Sequence, residues 1–175
     1  MNQKKYKLID YNGNEYNIIN LRKFCKKNNS LFILDEIVTG FRFRFGCLYP
    51  TMKLDPDIVT LGKIVGGGMA IGVMCGKKEI MEYADTTGKK KSERSYVGGG
   101  TFSANPASMT SGYASLSVLK NNSSIYSKIN DLGEYARNEL TKFFDGKVIV
   151  TGKGSLFMTH FVKNGISEIT NATQA

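Results

Sequence analysis

The sequence predicts an α/β fold in which a sheet is flanked by helices on both faces. Short apolar runs typical of buried strands alternate with longer segments in which apolar residues recur at helical spacing. The chain has 175 residues, of which 41% are apolar and 22% charged. These values suit one ordinary domain with a buried core and exclude wholesale disorder.

The first third of the chain predicts a strand pair, a helix and two strands. The turn signal Asn12-Gly13 favours a short strand pair around it in the polar segment 1–17. Apolar residues at helical spacing predict a helix over 18–29. Residues 31–34 and 58–61 are continuous apolar runs, which predict two buried strands.

The middle of the chain predicts a strand and two helices. Residues 71–75 are expected to form a third strand, and 77–84 a short helix before a loop that contains the basic run 89–91. Pro106 suits the first position of a longer helix, where its missing N–H has no partner to lose. The apolar face expected to pack inward on that helix consists of Met109, Tyr113, Leu116 and Leu119.

The last part of the chain predicts a long amphipathic helix from about Ser124 to Phe144, followed by two strands. These strands, at 148–150 and 156–162, are joined by residues 151–154 and are expected to begin a second, smaller unit. The apolar stripe of the helix consists of Ile125, Ile129, Leu132, Ala136, Leu140 and Phe143.

Charge and cysteine content exclude several classes of function. The net charge is +9, but the basic residues are scattered without interleaved aromatics, so we favour solvated faces over a nucleic-acid partner. Cys25, Cys47 and Cys75 are far apart and His160 is the only histidine, which excludes a zinc site. The odd number of cysteines, the lack of a membrane-spanning run and the lack of a signal peptide predict a cytoplasmic protein.

Asp35 and Glu36 form the first feature that points to a ligand. They follow the apolar run 31–34, and α/β proteins bind ligands beyond the carboxyl ends of buried strands. A partly desolvated carboxylate requires a partner, such as a cation or a protonated ring nitrogen. The alternative is a carboxylate that only caps a turn.

Lys63 is the second feature, because it lies between the run 58–61 and the glycines 66–68. Partial burial would lower the pKa of its amine and let it attack a carbonyl carbon, while the glycines would let backbone approach a ligand. The alternatives are a lysine that extends into solvent and a flexible loop. A nucleotide-binding phosphate loop is excluded, because Gly72 and Gly76 are too close in sequence and no Ser or Thr closes the motif.

Residues 98–106 are the third feature. They combine glycine N–H groups, the hydroxyls of Thr101 and Ser103 and the start of a helix, all of which suit an anion such as phosphate. The alternative is an ordinary helix start with Ser103 or Asn105 as its cap.

Together the three features fit one cofactor, pyridoxal 5'-phosphate. This cofactor requires an acid that keeps its ring nitrogen protonated, an amine for a Schiff base and an anchor for its phosphate. The lysine would also act as the general base that moves the substrate proton.

Three segments in order and at matching spacing resemble the class III (subgroup II) pyridoxal-phosphate aminotransferases. They are residues 34–42, 56–69 and 100–106, within a resemblance that covers about residues 18–162. Inside that family the sequence is most similar to the glutamate-1-semialdehyde 2,1-aminomutases. The resemblance implies an enzyme that exchanges an amino group between C2 and C1 of glutamate-1-semialdehyde, giving 5-aminolevulinate for tetrapyrrole synthesis.

The resemblance also implies residue roles. Asp35 would pair with the pyridine nitrogen, Ile37 would pack on the ring, and Lys63 would carry the cofactor as a Schiff base. Gly100 and Thr101 would bind the cofactor phosphate across a homodimer interface, in the active site of the other subunit.

The implied fold is that of the aspartate-aminotransferase-like (fold type I) large domain, with a mostly parallel sheet and flanking helices. Residues 18–145 would belong to this domain, 146–175 would begin a small C-terminal α/β domain, and 1–17 match nothing in the family. Ala70 replaces the usual proline, and the loop 87–96 is longer and more basic than expected. Family members are much longer, so we expect the chain to be inactive alone.

Two alternatives to the aminomutase stay open at the level of sequence. One is a class III omega-aminotransferase with another substrate, which would require a separate amino donor. The other is a truncated, non-catalytic module that only dimerises or binds nucleic acid through its basic surface.

Overall fold

The computed structural model describes residues 6–9, 12–93, 95, 99–100, 102–145, 147–162 and 166–169. The α/β class is confirmed. The strands are β1 (Tyr6–Ile9), β2 (Glu15–Ile18), β3 (Ile33–Asp35), β4 (Ile58–Gly62), β5 (Gly72–Gly76), β6 (Val148–Lys153) and β7 (Leu156–Phe161). The α-helices are α1 (Leu21–Lys27), α2 (Lys78–Met81), α3 (Pro106–Asn121) and α4 (Ser124–Phe143).

Strands β1 and β2 form the predicted antiparallel pair around the Asn12-Gly13 turn. Gly13 has a φ of +83°, which glycine adopts without a steric penalty. The predicted helix start at Ile18 is wrong, because Ile18 ends β2 and is buried. Helix α1 begins at Leu21, where the Asn20 side chain accepts a hydrogen bond from the Lys23 N–H at 2.9 Å and caps the first turn.

The central sheet has the order β3-β4-β5 and positions the candidate site. Strands β3 and β4 are parallel, but β4 and β5 are antiparallel, so the sheet is mixed rather than mostly parallel. The reason is the connection from residue 63 to residue 71, which is shorter than the dozen or so residues that a parallel crossover requires.

Burial differs sharply between the two neighbouring parallel strands. Ile58, Val59 and Leu61 of the central strand β4 are buried, as predicted. Strand β3 begins only at Ile33, which is 55% exposed, so the prediction of a fully buried strand is wrong there. Within the described residues β3 is an edge strand, and one of its faces is open.

Helix α3 packs through small residues instead of the predicted apolar face. Ser108 and Gly112 are buried, whereas Met109 and Tyr113 are exposed. Asn105 caps the helix by accepting hydrogen bonds from two N–H groups of the first turn, and Pro106 occupies the first helical position as predicted.

Helix α4 packs against the antiparallel hairpin β6–β7, which confirms the predicted late strands. Tyr126 and Gly133 are its buried residues, while the predicted stripe residues Leu132 and Phe143 are exposed. None of the helices in the described part of the chain is long and apolar enough to cross a membrane.

Candidate active site

Asp35 ends β3 and is aligned with Thr60 on β4. Its Oδ1 accepts hydrogen bonds from the N–H of Ile37 at 2.8 Å and from the Thr60 hydroxyl at 3.3 Å. Its Oδ2 has no hydrogen-bond partner among the described residues, and the side chain is exposed. The carboxylate is therefore held in place through one oxygen and offers the other to a ligand.

Glu36, the next residue, is used differently. Its side chain is 2% exposed and accepts hydrogen bonds from the N–H groups of Leu48 and Tyr49 at 2.6 and 2.7 Å, and from the Thr39 hydroxyl at 3.2 Å. Buried charges are tolerated when they are fully hydrogen-bonded. Glu36 thus fixes the loop after β3, while Asp35 alone faces outward.

Lys63 follows the last residue of β4 and has a φ of +51°, in the left-handed region that a side chain disfavours. The predicted partial burial of its side chain is wrong. Lys63 is exposed and makes no hydrogen bond or ion pair with the described residues, whereas Gly62 and Gly66 on either side are buried. At this turn the two glycines are buried, while the amine of Lys63 is accessible to solvent.

Ile37 joins the two strand ends. A Cβ placed on Gly62 would lie 3.3 Å from Cγ2 of Ile37, so the Ile37 side chain covers Gly62, the residue just before Lys63. The structure thus places Asp35, Ile37 and the turn at Lys63 at the carboxyl ends of the parallel strands β3 and β4.

The glycine-rich segment after Lys63 is docked on α3. A Cβ on Gly67, whose φ is +60°, would lie 2.3 Å from the Ser111 carbonyl oxygen, and one on Gly112 would lie 2.5 Å from the Val65 carbonyl oxygen. The Ser108 and Ser111 hydroxyls donate to the Ala70 and Gly67 carbonyl oxygens at 2.8 and 2.7 Å. The glycines permit close approach to a helix, so the lysine turn has a rigid support.

Sequence reasoning missed this support. The signal was present, since Ser108, Ser111 and Gly112 are small residues spaced three and four apart, which places them on one helix face.

The structure describes only part of the predicted phosphate segment. Gly100 hydrogen-bonds to Ser103 in the described residues, and Thr101 lies outside them. Helix α3 contacts the turn between β4 and β5 through Gly112 beside Val65 and through Ser108 beside Ala70.

A second group of charges lies at the opposite edge of the sheet. Asp57 is 5% exposed, and its carboxylate accepts from the Phe32 N–H at 2.9 Å, from Lys77 Nζ at 3.1 Å and from the Arg22 guanidinium. The Phe32 N–H, followed by Arg22 and Lys77, holds the pKa of Asp57 at about 2 despite burial, which opposes this shift. No group of three or more metal-ligating side chains occurs in the described ranges.

Comparison with known proteins places this geometry in a family. The class-III aminotransferase family model matches residues 12–175. The chain belongs to the class-III aminotransferase family. This assignment confirms the resemblance drawn from the three sequence segments, and the family uses pyridoxal phosphate to act on small amino compounds.

Two curated relatives of this class-III aminotransferase chain are glutamate-1-semialdehyde 2,1-aminomutases. The protein from Wigglesworthia glossinidia brevipalpis is 45% identical over 81% of the chain and 32% of its own length. Aminomutase 2 of Lachnoclostridium phytofermentans is 39% identical over 89% of the chain and 36% of its own length. The chain thus spans about a third of the length of the curated relatives it matches.

Solved structures agree on the fold of this class-III aminotransferase chain. An omega-transaminase from Sphaerobacter thermophilus matches 88% of this chain and 35% of its own, with a TM-score of 0.68 and 28% identity. A transaminase with PLP bound matches 83% of this chain and 33% of its own, with a TM-score of 0.68 and 31% identity.

The groups at the carboxyl edge of β3 and β4 fit the family cofactor. The accessible amine of Lys63 suits an aldehyde, the open Oδ2 of Asp35 suits a protonated ring nitrogen, and Ile37 supplies an apolar surface for a ring. These three residues of the class-III aminotransferase chain are the ones that would hold pyridoxal phosphate.

Proposed function

We propose that this chain is the cofactor-binding part of a glutamate-1-semialdehyde 2,1-aminomutase, which forms 5-aminolevulinate for tetrapyrrole synthesis. The observation that carries the proposal is the placement of Asp35, Ile37 and Lys63 at neighbouring strand ends. The names of the relatives at 39% and 45% identity support the choice of reaction.

Each of the three residues has a distinct task. Pyridoxal phosphate supplies, when bound, a carbon that accepts the amino group and a ring that withdraws electrons from the substrate carbon. Lys63 would hold the cofactor through Nζ, and its amine would move the proton at the substrate carbon. Asp35 would keep a positive charge on the ring nitrogen through Oδ2, and Ile37 would exclude water from the ring face.

We also propose that the chain acts as a homodimer in which Gly100 and Thr101 bind the cofactor phosphate of the other subunit. This arrangement is the one that the resemblance of residues 100–106 to the class-III aminotransferases implies. On this proposal residues 18–145 belong to the large domain and 146–175 begin the small one.

A second candidate function is that of an omega-aminotransferase, favoured by the omega-transaminase among the structural matches. The two reactions differ in donor use, since an aminomutase returns the amino group to the same molecule. An enzyme containing this chain should convert glutamate-1-semialdehyde to 5-aminolevulinate without added amino acid. A strict requirement for a donor would favour the aminotransferase.

Covalent labelling tests whether Lys63 is the cofactor lysine. The purified chain is mixed with one equivalent of pyridoxal phosphate, reduced with borohydride and digested, and the modified peptide is identified by mass spectrometry. We expect the label on Lys63, and its loss in Lys63→Ala.

Lys78→Ala is the matched control, because Lys78 is 88% exposed and is paired only with Glu82 on the surface. It should label like the wild type. Equal labelling of Lys63→Ala and the wild type, or a label spread evenly over surface lysines, would refute the proposed site and leave only a non-catalytic module.

A further inference from the structure

Two cysteine thiols share a cavity on the face of the central sheet opposite the candidate active site. Cys47 and Cys75 both line a space of about 340 Å³, together with Tyr49 and Val59. Neither thiol is in a disulfide, and neither has a place in the proposed reaction.

The register of the sheet explains how the two cysteines meet. Cys75 on β5 is aligned with Val59 on β4, so their side chains leave the same face of the sheet. Leu61, two residues beyond Val59, shares this face, and a Cβ on Gly40 would lie 2.5 Å from Leu61 Cδ2. The loop after β3, which contains Gly40 and Cys47, therefore lies over the face that presents Cys75.

Hydrogen bonds hold the Cys47 side of the pair in place. The buried Glu36 carboxylate accepts the N–H of Leu48, the residue after Cys47. Burial raises the pKa of the Cys47 thiol, and the negative charges of Glu36 and Cys75 raise it further.

We propose that Cys47 and Cys75 form a reversible disulfide that fastens the loop after β3 to strand β5. Cys75 is exposed, so its thiolate attacks a small disulfide such as oxidised glutathione and releases one glutathione thiolate. The Cys47 thiolate then attacks the Cys75 sulfur and releases the second. Two protein thiols are oxidised, and one small disulfide is reduced to two thiols.

The crosslink would act on the support of the candidate site. It would join the loop after β3 to strand β5. The loop is anchored by Glu36, the neighbour of Asp35, and β5 pairs with β4, the strand that precedes Lys63. Oxidation should therefore raise the melting temperature of the chain, because the bond closes a loop that unfolding would otherwise release.

Oxidation of the whole 175-residue chain with oxidised glutathione tests the proposal. The three free thiols should fall to one, and digestion without reduction should yield one linked peptide pair that contains Cys47 and Cys75. We expect this pair to exceed any pair with Cys25 at least about tenfold, because Cys47 and Cys75 line the same cavity and Cys25 does not. Dithiothreitol should restore three thiols.

Three serine variants and one denatured sample complete the experiment. Cys47→Ser and Cys75→Ser should abolish the crosslink and the rise in melting temperature, whereas Cys25→Ser should retain both. In urea the preference for the Cys47–Cys75 disulfide over the Cys25–Cys47 disulfide should disappear, because the two disulfides would close loops of similar length and so of similar entropy. A mixed disulfide that persists on Cys75, a crosslink to Cys25, or an unchanged preference in urea would overturn the proposal.

Discussion

Charged side chains have oppositely charged partners at the amino end of strand β4 but lack them at its carboxyl end, within the described residues. At its amino end, Asp57 is buried and bound by Arg22, Lys77 and a backbone N–H. At its carboxyl edge, Lys63 is exposed without a partner in the described residues, and Asp35 is held through only one oxygen. The charged side chains are therefore paired at one end of the sheet and available to a ligand at the other.

This difference separates charges that hold the fold together from charges that can do chemistry. A fully paired charge stabilises the native state but has no capacity for a ligand, while an unpaired amine retains its reactivity. The neighbours Asp35 and Glu36 show the same division across one peptide bond. Exchanging their charges for amides gives the strongest test of the comparison.

We expect Glu36→Gln to lower the free energy of unfolding by about 3 kcal/mol, because it replaces a buried carboxylate that accepts two backbone N–H groups. An amide nitrogen would face one of those donors. Asp35→Asn, at an exposed position, should change stability by less than about 0.5 kcal/mol. Urea denaturation followed by circular dichroism measures both.

Pyridoxal phosphate binding should show the reverse order. Asp35→Asn should weaken binding about tenfold, the value of one charge-assisted hydrogen bond, while folded Glu36→Gln should bind more like the wild type. If Asp35→Asn and Glu36→Gln lowered the free energy of unfolding equally, the assignment of Glu36 to the fold and of Asp35 to ligand binding would be wrong.

The sequence predicts those parts of the fold that depend on local pattern. The β1–β2 turn, the buried strand β4, the Pro106 helix start and the hairpin β6–β7 all follow from turn residues, apolar runs and capping. The prediction failed where tertiary contacts decide the outcome. Whether Ile33 is covered depends on what lies beside β3, and this information is not in the local sequence.

The site was predicted only as a set of positions. Apolar runs that end in Asp35 and Lys63 indicated neighbouring strand ends, and the parallel register places them there. The pattern could not say which of two adjacent carboxylates is buried, since both follow the same run. It also suggested partial burial of Lys63, which was wrong because apolar neighbours in sequence do not reveal which way a turn directs its side chains.

The amino-end charge cluster gives the next largest effect. We expect Asp57→Asn to cost about 2 kcal/mol at neutral pH, because Arg22 and Lys77 lose their buried partner. Asp55→Asn is the matched control, since Asp55 contacts the same two cations but is 65% exposed, and it should cost about 0.5 kcal/mol or less.

The cluster also predicts a pH dependence. The pKa of Asp57 falls from 3.8 to about 2 on folding, so its contribution is complete above about pH 4 and is lost as the pH falls towards 2. A shift of this size corresponds to about 2 kcal/mol, and solvent access to Arg22 and Lys77 reduces our expectation to about 1 kcal/mol. The difference in the free energy of unfolding between the wild type and Asp57→Asn should therefore decrease over that pH range. A difference that does not change with pH would contradict the proposed pairing of the Asp57 carboxylate.

Backbone strain at Lys63 gives the smallest effect and sharpens the comparison furthest. At a φ of +51° an alanine pays a steric cost that glycine avoids, so Lys63→Gly should be more stable than Lys63→Ala by about 1 kcal/mol. In an ordinary helical or extended conformation the order would reverse, since glycine loses more entropy on folding. Lys53, with a φ of +54° and no proposed role, should show the same order. If glycine were more stable than alanine at Lys53 but less stable at Lys63, the backbone of the turn after β4 would be unstrained. The carboxyl end of β4 would then differ from its amino end only in having unpaired charges.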